Sequence, residues 1–389
     1  MRELKKILIV LPSFLNGGTN TCLRSLLPVL KKRGLEMDVF AITNRGPNLI
    51  NTLKYAKVLD FSGNHIDNSR TDALKGLAAK FVKSLKKILC AMGLDISSIV
   101  FKRVATRLEK NDYDLIISFQ EGYTTRLCSY FKSTPKIAWV HCDYERYLQA
   151  SNSKPENKIY SGFLKIVCVS DFTKNQFKKY IYTCHDVVSL HNIMDVEAIT
   201  VKSQEPIGDK RFFFDGIRIV SVGRINVVKR FTEIPKIVSR LKELGLNNFK
   251  WYIIGDGDEE EKLSLAGKIK KHGASEVVLM GNQDNPYPYI ANADLYVLTS
   301  STEACPCVLN EAKILHTPIV STDFGSVGEF LTDNVNGIVA PINTIAERIF
   351  DYLNSPSKYE VMNNNIANYR YSNQNIEKKL FKILLDDVN

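Results

Sequence analysis

Apolar residues in this 389-residue chain fall into short, nearly unbroken runs separated by longer stretches of mixed spacing. In the first half the runs are KILIVLP (6–12), MDVFAIT (37–43), YDLIISF (113–119), KIAWVHC (136–142), KIVCVS (165–170) and DVVSLHN (186–192). A strand with one wet face alternates apolar and polar residues, whereas a strand covered on both faces is apolar throughout. These runs therefore predict parallel strands flanked by helices. Between the first two, Asn16-Gly17-Gly18-Thr19 reads as a turn, the stretch to Arg33 as a helix, and Gly34 as its stop. The second half repeats the layout, with strands predicted at 217–222, 251–254, 277–280, 294–299 and 318–321, but without a strong sequence repeat. The class is α/β, and a chain of this length exceeds one ordinary core. Two doubly wound domains are expected, 1–195 and 196–374. Their join falls at about 195–214, where KSQEPIGDK (202–210) is polar and carries Pro206 and Gly208.

Composition narrows the function classes. The chain has 52 Lys+Arg against 42 Asp+Glu, a formal charge of +10. Such an excess suits nucleic acid, an anionic membrane or phosphorylated substrates. With no zinc-finger spacing, no RNP-like aromatic motif and no long basic run, nucleic acid is the weakest of the three and is not an expected partner. The eight cysteines are scattered, several in apolar runs such as that of Cys168, the pattern of buried reduced thiols in a cytoplasmic protein. The N-terminal MRELKKILIVLPSFL imitates a signal peptide. It lacks a small-residue cleavage site and runs into a glycine-rich turn and a helix, so it reads as the first strand. No run approaches the roughly eighteen apolar residues that span a bilayer. From 75 to 110 lie nine Lys/Arg, and Leu74, Leu77, Phe81, Leu85 and Ile88 recur at helical spacing opposite lysines. That predicts a basic amphipathic helix with two readings. Either it docks on anionic lipid facing a lipid-linked saccharide, or its apolar side packs on its own domain.

The densest chemistry lies in SSTEACPCVLNE (300–311), after the strand DLYVLT (294–299) and at the start of a helix that stops by Pro318. The first amides of a helix lack internal partners and its dipole is positive there, so a strand, a turn and a helix N-terminus make an anion site. Glu303 and Glu311 beside such a site suit hydroxyl groups. A nucleotide sugar joins a diphosphate to hydroxyl-rich groups on both sides. Arg224 and Lys229, in GRINVVK after the strand at 217–222, put two cations at a strand's carboxyl end, where open α/β sheets bind ligands. Cys305 and Cys307 form a lone C-x-C with no second pair, and read as small residues packing at a helix start. Asp256-Gly257-Asp258 is the nearest approach to a D-x-D metal motif. Gly17 and Gly18 sit where a doubly wound domain turns toward phosphate, but their spacing is not G-x-G-x-x-G, which removes the main support for a nicotinamide cofactor.

Taken together, GRINVVK, IIGDGD (253–258), the glutamate pair and FGSVGE (324–329) resemble the retaining nucleotide-sugar glycosyltransferases of family 4, of the surface-polysaccharide type, which have the GT-B fold. The resemblance covers essentially the whole chain and is strongest from 223 to 337. It implies two Rossmann-like domains facing across a cleft, with a last helix, about 375–389, crossing back onto the first. It implies that Arg224 and Lys229 hold the donor diphosphate with backbone amides near Cys307 and Val308. Glu303 would contact the transferred sugar and Glu311 the ribose, and the Gly17-Gly18 loop would close over the phosphate. His141 matches a family histidine near the reacting sugar, where an imidazole can bond a donor hydroxyl or stabilise charge. Asp143 and Glu145 follow it as acceptor-side candidates or ordinary loop carboxylates. Retention and metal independence, with no cofactor, are likewise implied, and IIGDGD becomes a structural turn. The family often has an aromatic and then glycine or proline after the first glutamate, whereas this chain has Ala304-Cys305-Pro306. The implied activity moves a hexose or N-acetylhexosamine from a nucleotide diphosphate sugar, UDP-linked, to a saccharide or lipid-linked saccharide, in the cytoplasm or peripherally at the inner face of the plasma membrane. An epimerase on the same fold would need acid/base groups that the sequence does not place. A silent sugar-nucleotide-binding module would have no need of all four charges.

Overall fold

The computed structural model describes residues 4–15, 17–43, 46–66, 96–182 and 185–385. The chain divides into two compact units, residues 1–193 with 373–389, and residues 194–372.

In the first unit the apolar runs become a seven-stranded, all-parallel sheet ordered β3-β2-β1-β4-β5-β6-β7. The strands are β1 Lys6–Ser13, β2 Glu36–Thr43, β3 Lys57–Leu59, β4 Leu115–Ser118, β5 Lys136–Val140, β6 Lys165–Cys168 and β7 Asp186–Ser189. Ile7, Leu8, Ile9, Val10 and Leu11 are all buried, because helices cover both faces and neither side of the pleat meets water. The helix Gly18–Lys32 buries Cys22, Leu23, Leu26, Leu27 and Leu30, and Gly34 follows it with φ of 86°, which a side chain would resist. The C-terminal helix Gln374–Leu385 belongs to this unit. It buries Leu380, Ile383 and Leu384, and the Arg33 guanidinium lies 5.0 Å from the Phe381 ring centroid. Of the basic stretch 75–110, the helix Ile96–Leu108 is seen. The apolar positions Leu74 to Ile88 lie outside the described residues.

In the second unit six parallel strands are ordered β10-β9-β8-β11-β12-β13, namely β8 Ile217–Val222, β9 Phe249–Ile254, β10 Val277–Gly281, β11 Leu295–Leu298, β12 Ile319–Thr322 and β13 Ile338–Ala340. The polar stretch 202–210 is no free linker. It begins in the last turn of the helix Val196–Ser203 and leads to buried Phe212, whose ring packs 4.8 Å from Tyr252 and 5.0 Å from Tyr289. Each sheet reverses its order once, between β1 and β4 in the first unit and between β8 and β11 in the second. Such reversals open a crevice at the carboxyl ends of the strands, where doubly wound domains bind ligands. Strands β3 and β13, absent from the sequence reading, are three-residue edge strands too short to stand out as apolar runs.

Candidate active site

The site in the second unit is built at its switch point. Beyond β8 the backbone of 223–225 runs beside that of 255–257 beyond β9, with the Gly223 N–H donating to the Ile254 carbonyl and the Ile225 N–H to the Asp256 carbonyl, both at 2.9 Å. This contact explains IIGDGD. A Cβ at Gly255 would lie 2.0 Å from the Gly223 oxygen, and one at Gly257 would lie 1.9 Å from the Ile225 oxygen. The two turns thus set Arg224 beside Asp258, with Nη2 donating to Oδ1 at 2.7 Å in an exposed ion pair. Asp256 pairs instead with Lys262 at 2.9 Å. Among the described residues no group of three or more His, Cys, Asp or Glu is assembled that could hold a metal ion.

Lys229 and Glu303 meet. Asn226 caps a short helical turn by accepting the Lys229 N–H at 3.0 Å, which aims the lysine side chain back over the strand ends. From the other side of the switch point, the turn after β11 is laced to this loop. The Thr299 hydroxyl donates to the Lys229 carbonyl at 2.7 Å, and the Ser301 N–H to the Val228 carbonyl at 2.8 Å. The Thr322 hydroxyl at the end of β12 donates to the Ser300 carbonyl at 2.6 Å. Lys229 Nζ and Ser300 Oγ then both donate to Glu303 Oε1 at 2.6 Å, while Ser326 Oγ donates to the Glu303 carbonyl at 2.7 Å. The two charged side chains are only 18% and 16% exposed, so the pair is largely desolvated.

The helix Cys307–Ile314 begins immediately beyond this turn, with Pro306 as an N-cap that contributes no side-chain hydrogen bond. Cys307 and Val308 occupy its first turn, and Glu311 one turn further is buried, with the Tyr287 hydroxyl 3.5 Å from Oε1. Two residues further on, Lys313 is buried on the same helix. Its Nζ donates to the Phe330 carbonyl at 3.0 Å and lies 5.1 Å from the Tyr369 ring centroid. Burial pushes this lysine down to about 8, opposed by the neighbouring Cys305 thiol. Sequence reading passed over Lys313, because a lysine in a helix reads as solvent-facing.

Gly17, Gly18 and His141 belong to the first unit, at the carboxyl ends of β1 and β5. A Cβ at either glycine would meet no atom within 4 Å, so packing within the chain does not itself demand glycine there. The His141 ring lies 4.8 Å from the Phe119 ring at a tilt of 59°, and its Nε2 is shut away from solvent without a hydrogen-bond partner. Desolvation alone holds the imidazole neutral, pushing it down to about 3. Its backbone N–H donates to Glu121 Oε2 at 2.9 Å. Glu121 is a buried carboxylate whose pKa burial raises, and sequence reading missed it. A carboxylate two residues beyond the apolar run YDLIISF was the available signal. Asp143 caps the helix Tyr144–Ser151, and Glu145 lies in that helix's first turn.

Residues 203–369 match the profile of the family described as glycosyl transferases group 1. An uncharacterized glycosyltransferase of Methanocaldococcus jannaschii is 26% identical over 49% of this chain, which spans 48% of that protein. The Campylobacter jejuni N-acetylgalactosamine-N,N'-diacetylbacillosaminyl-diphospho-undecaprenol 4-alpha-N-acetylgalactosaminyltransferase is 25% identical over 87% of each chain. Among solved structures, Anabaena HepE in complex with UDP-glucose superposes with a TM-score of 0.75 at 14% identity, covering 98% of this chain and 99% of its own. The last of these speaks for the fold alone. The fold is that of the GT-B glycosyltransferases, and the family profile matched over 203–369 and the relatives in sequence are likewise glycosyltransferases.

Proposed function

We propose that this protein is a retaining, metal-independent glycosyltransferase of the family 4 type. It moves a hexose or N-acetylhexosamine from a UDP-linked sugar to a lipid-linked saccharide in the synthesis of a cell-surface polysaccharide. The observation that carries the reading is the contact at 2.6 Å between Lys229, beyond β8, and Glu303, beyond β11. It joins a cation suited to phosphate and a carboxylate suited to sugar hydroxyls at the switch point of one sheet. One relative in sequence and one neighbour in fold support the finer terms. The Campylobacter enzyme's name gives it a diphospho-undecaprenol saccharide acceptor, and the Anabaena protein binds UDP-glucose.

In this reading Arg224, Lys229 and the amides of Cys307 and Val308 hold the diphosphate. As the bond from the sugar C1 to the phosphate oxygen breaks, the electron pair leaves with the diphosphate, and these fixed positive groups take up the charge without reorganising. The acceptor hydroxyl attacks C1 from the same face and its proton passes to the departing phosphate oxygen. Glu303 orients the sugar hydroxyls and Glu311 holds the ribose, while in the first unit Gly17-Gly18 is read as a phosphate-facing turn and His141 as a group that bonds a sugar hydroxyl.

The same reading puts the enzyme at the cytoplasmic face of the plasma membrane. Along the helix Ile96–Leu108, Ile99 and Val100 are exposed beside Lys102, Arg103 and Arg107, an apolar and basic surface of the kind that meets anionic lipid. No helix among the described residues is long and apolar enough to cross a membrane. Flotation with anionic vesicles at low salt tests this, and a protein left at the bottom of the gradient sinks it.

A thermal-shift panel with UDP, GDP and ADP, with and without EDTA, tests the donor. Stabilisation by UDP that survives the chelator is expected. Transfer from UDP-sugars to a diphosphate-linked saccharide then tests the reaction. Glu303→Ala abolishes transfer while UDP still stabilises the fold, and normal transfer by that variant would defeat the assignment.

A further inference from the structure

The first unit carries a buried carboxylate for which the proposed reaction has no use. Strand β4 ends at Ser118 and β5 runs parallel beside it, with Ser118 level with Ala138. Glu121 and His141 each lie three residues past that pair, side by side on the carboxyl edge of the sheet. The corner that brings Glu121 there is overdetermined. The Gln120 carbonyl accepts hydroxyls from Ser118 and Thr125, each at 3.0 Å, and also from Thr124. Gly122 turns the chain at φ of 82°, and a Cβ there would lie 2.8 Å from the Tyr147 hydroxyl oxygen. With its backbone so held, Glu121 turns inward and is 9% exposed. Its Oε2 accepts the His141 backbone N–H at 2.9 Å, and the Cys142 thiol is hydrogen-bonded to the same carboxyl.

A buried carboxylate is costly unless its acceptors are used, and here both partners are consecutive residues just past the end of β5. The backbone of His141 is thereby held, with its imidazole 4.8 Å from the Phe119 ring and Nε2 left unsatisfied in a dry setting. A dry, unpaired ring nitrogen gains most from a hydroxyl brought by a ligand. We infer that Glu121 is a positioning residue, which holds the end of β5 so that the His141 imidazole keeps Nε2 for a hydroxyl of the bound saccharide. This rests on the place given to His141 in the proposed reaction. The alternative is a carboxylate that only ties β4 to β5.

Two measurements on the full chain separate these. The first needs no substrate. In protein labelled at its six histidines, the His141 ring signal, assigned through His141→Ala, is followed in Glu121→Gln, Glu121→Asp and Glu121→Ala. The glutamine keeps one acceptor oxygen for the His141 N–H, so its signal stays near the wild-type position. The shortened aspartate and the alanine release the strand end, so theirs move. An unmoved His141 signal in both Glu121→Asp and Glu121→Ala overturns the inference. If Glu121→Ala does not fold, Glu121→Asp carries the comparison.

The second measurement is kinetic. Misplacing a substrate-contacting group by an ångström costs on the order of 100-fold. Glu121→Ala is therefore expected to lower kcat by that order with the UDP dissociation constant unchanged, and Glu121→Gln to recover most of the loss. If Glu121 acts through His141, the double variant with His141→Ala is no slower than His141→Ala alone. Losses that multiply in the double variant overturn the inference. A wild-type protein that turns over no donor sugar counts against the proposed function, and the ring signal still decides the role of Glu121.

Discussion

Replacing Lys229 by methionine separates the two duties assigned to that side chain. In the folded protein Nζ lies 2.6 Å from Glu303 Oε1, and the two side chains are 18% and 16% exposed. A fully exposed pair contributes about 0–1 kcal/mol, and stranding one partner of a fully buried pair costs about 3–5 kcal/mol. This pair stands between those limits, and Ser300 still donates to Glu303 after the change. A loss of about 2 kcal/mol is expected, which for a unit of this size lowers Tm by about 4–8 °C. Glu303→Gln alone strands the lysine less severely, because the amide oxygen still accepts. The double variant leaves no unpaired charge, so its loss is smaller than the sum of the two single losses. Ligand affinity behaves differently. One charge-assisted contact to phosphate is worth about 1.5–3 kcal/mol, so Lys229→Met weakens UDP by roughly tenfold to 150-fold. Glu303→Gln, by removing a carboxylate that competes for Nζ, leaves UDP affinity equal or higher. Thermal melts and titration calorimetry on the four proteins give all of these quantities. Additive melting losses in the double variant would refute the ion-pair reasoning, and unchanged UDP affinity in Lys229→Met would refute the phosphate role.

Glu311→Gln is expected to weaken UDP about tenfold while leaving inorganic pyrophosphate binding unchanged, because its assigned partner is the ribose, whereas Lys229→Met weakens both ligands. Calorimetry with the two ligands reads the difference, and equal losses for both would contradict the ribose assignment. Gly257→Ala forces a Cβ to 1.9 Å from the Ile225 oxygen and separates the turns that bear Arg224 and Asp258. It should cost about 3 kcal/mol or more and remove the UDP thermal shift. Gly267→Ala, where a Cβ meets nothing within 4 Å in the helix Glu259–Lys271, should instead stabilise by about 0.5–1 kcal/mol. Lys313 has a folded pKa of about 8, below its ordinary 10.5, so between those values the unfolded chain binds a proton that the folded chain releases. Its contribution to stability therefore rises with pH across that window, by at most ~3 kcal/mol, and is lowest below pH 8. Chemical denaturation at pH 7.5 and 10 should show that rise in the wild type and a flatter profile in Lys313→Met; parallel profiles would disprove it.

The sheets were legible in the sequence because a strand buried on both faces must be apolar at every position. KILIVLP and IRIVSV announce themselves against amphipathic helices. The edge strands Lys57–Leu59 and Ile338–Ala340 were not legible, since three residues carry too little pattern and an edge needs a partner on one side only. The chemistry around Glu303 was partly legible for a related reason. Charged and hydroxyl residues that follow an apolar strand at once have few places to go except the carboxyl edge of a parallel sheet. That argument places Arg224, Lys229 and Glu303 near strand ends, but it cannot say which side chains meet. Lys229 rather than Arg224 touches Glu303, because Asn226 turns the loop and Thr299 and Ser301 bind it to the turn after β11, over a separation of some seventy residues. Arg224 goes to Asp258, because glycines 255 and 257 let two backbones touch. Glu121 and Lys313 show the same limit from the other direction, since only tertiary packing buried them, and burial is what perturbs their titration. Local pattern thus determined the strands, the class of fold and the carboxyl-edge position of the charges. Which charges pair, and which are desolvated, was decided by strand order and long-range packing, because Coulomb and desolvation energies depend on distances that neighbours in sequence do not set.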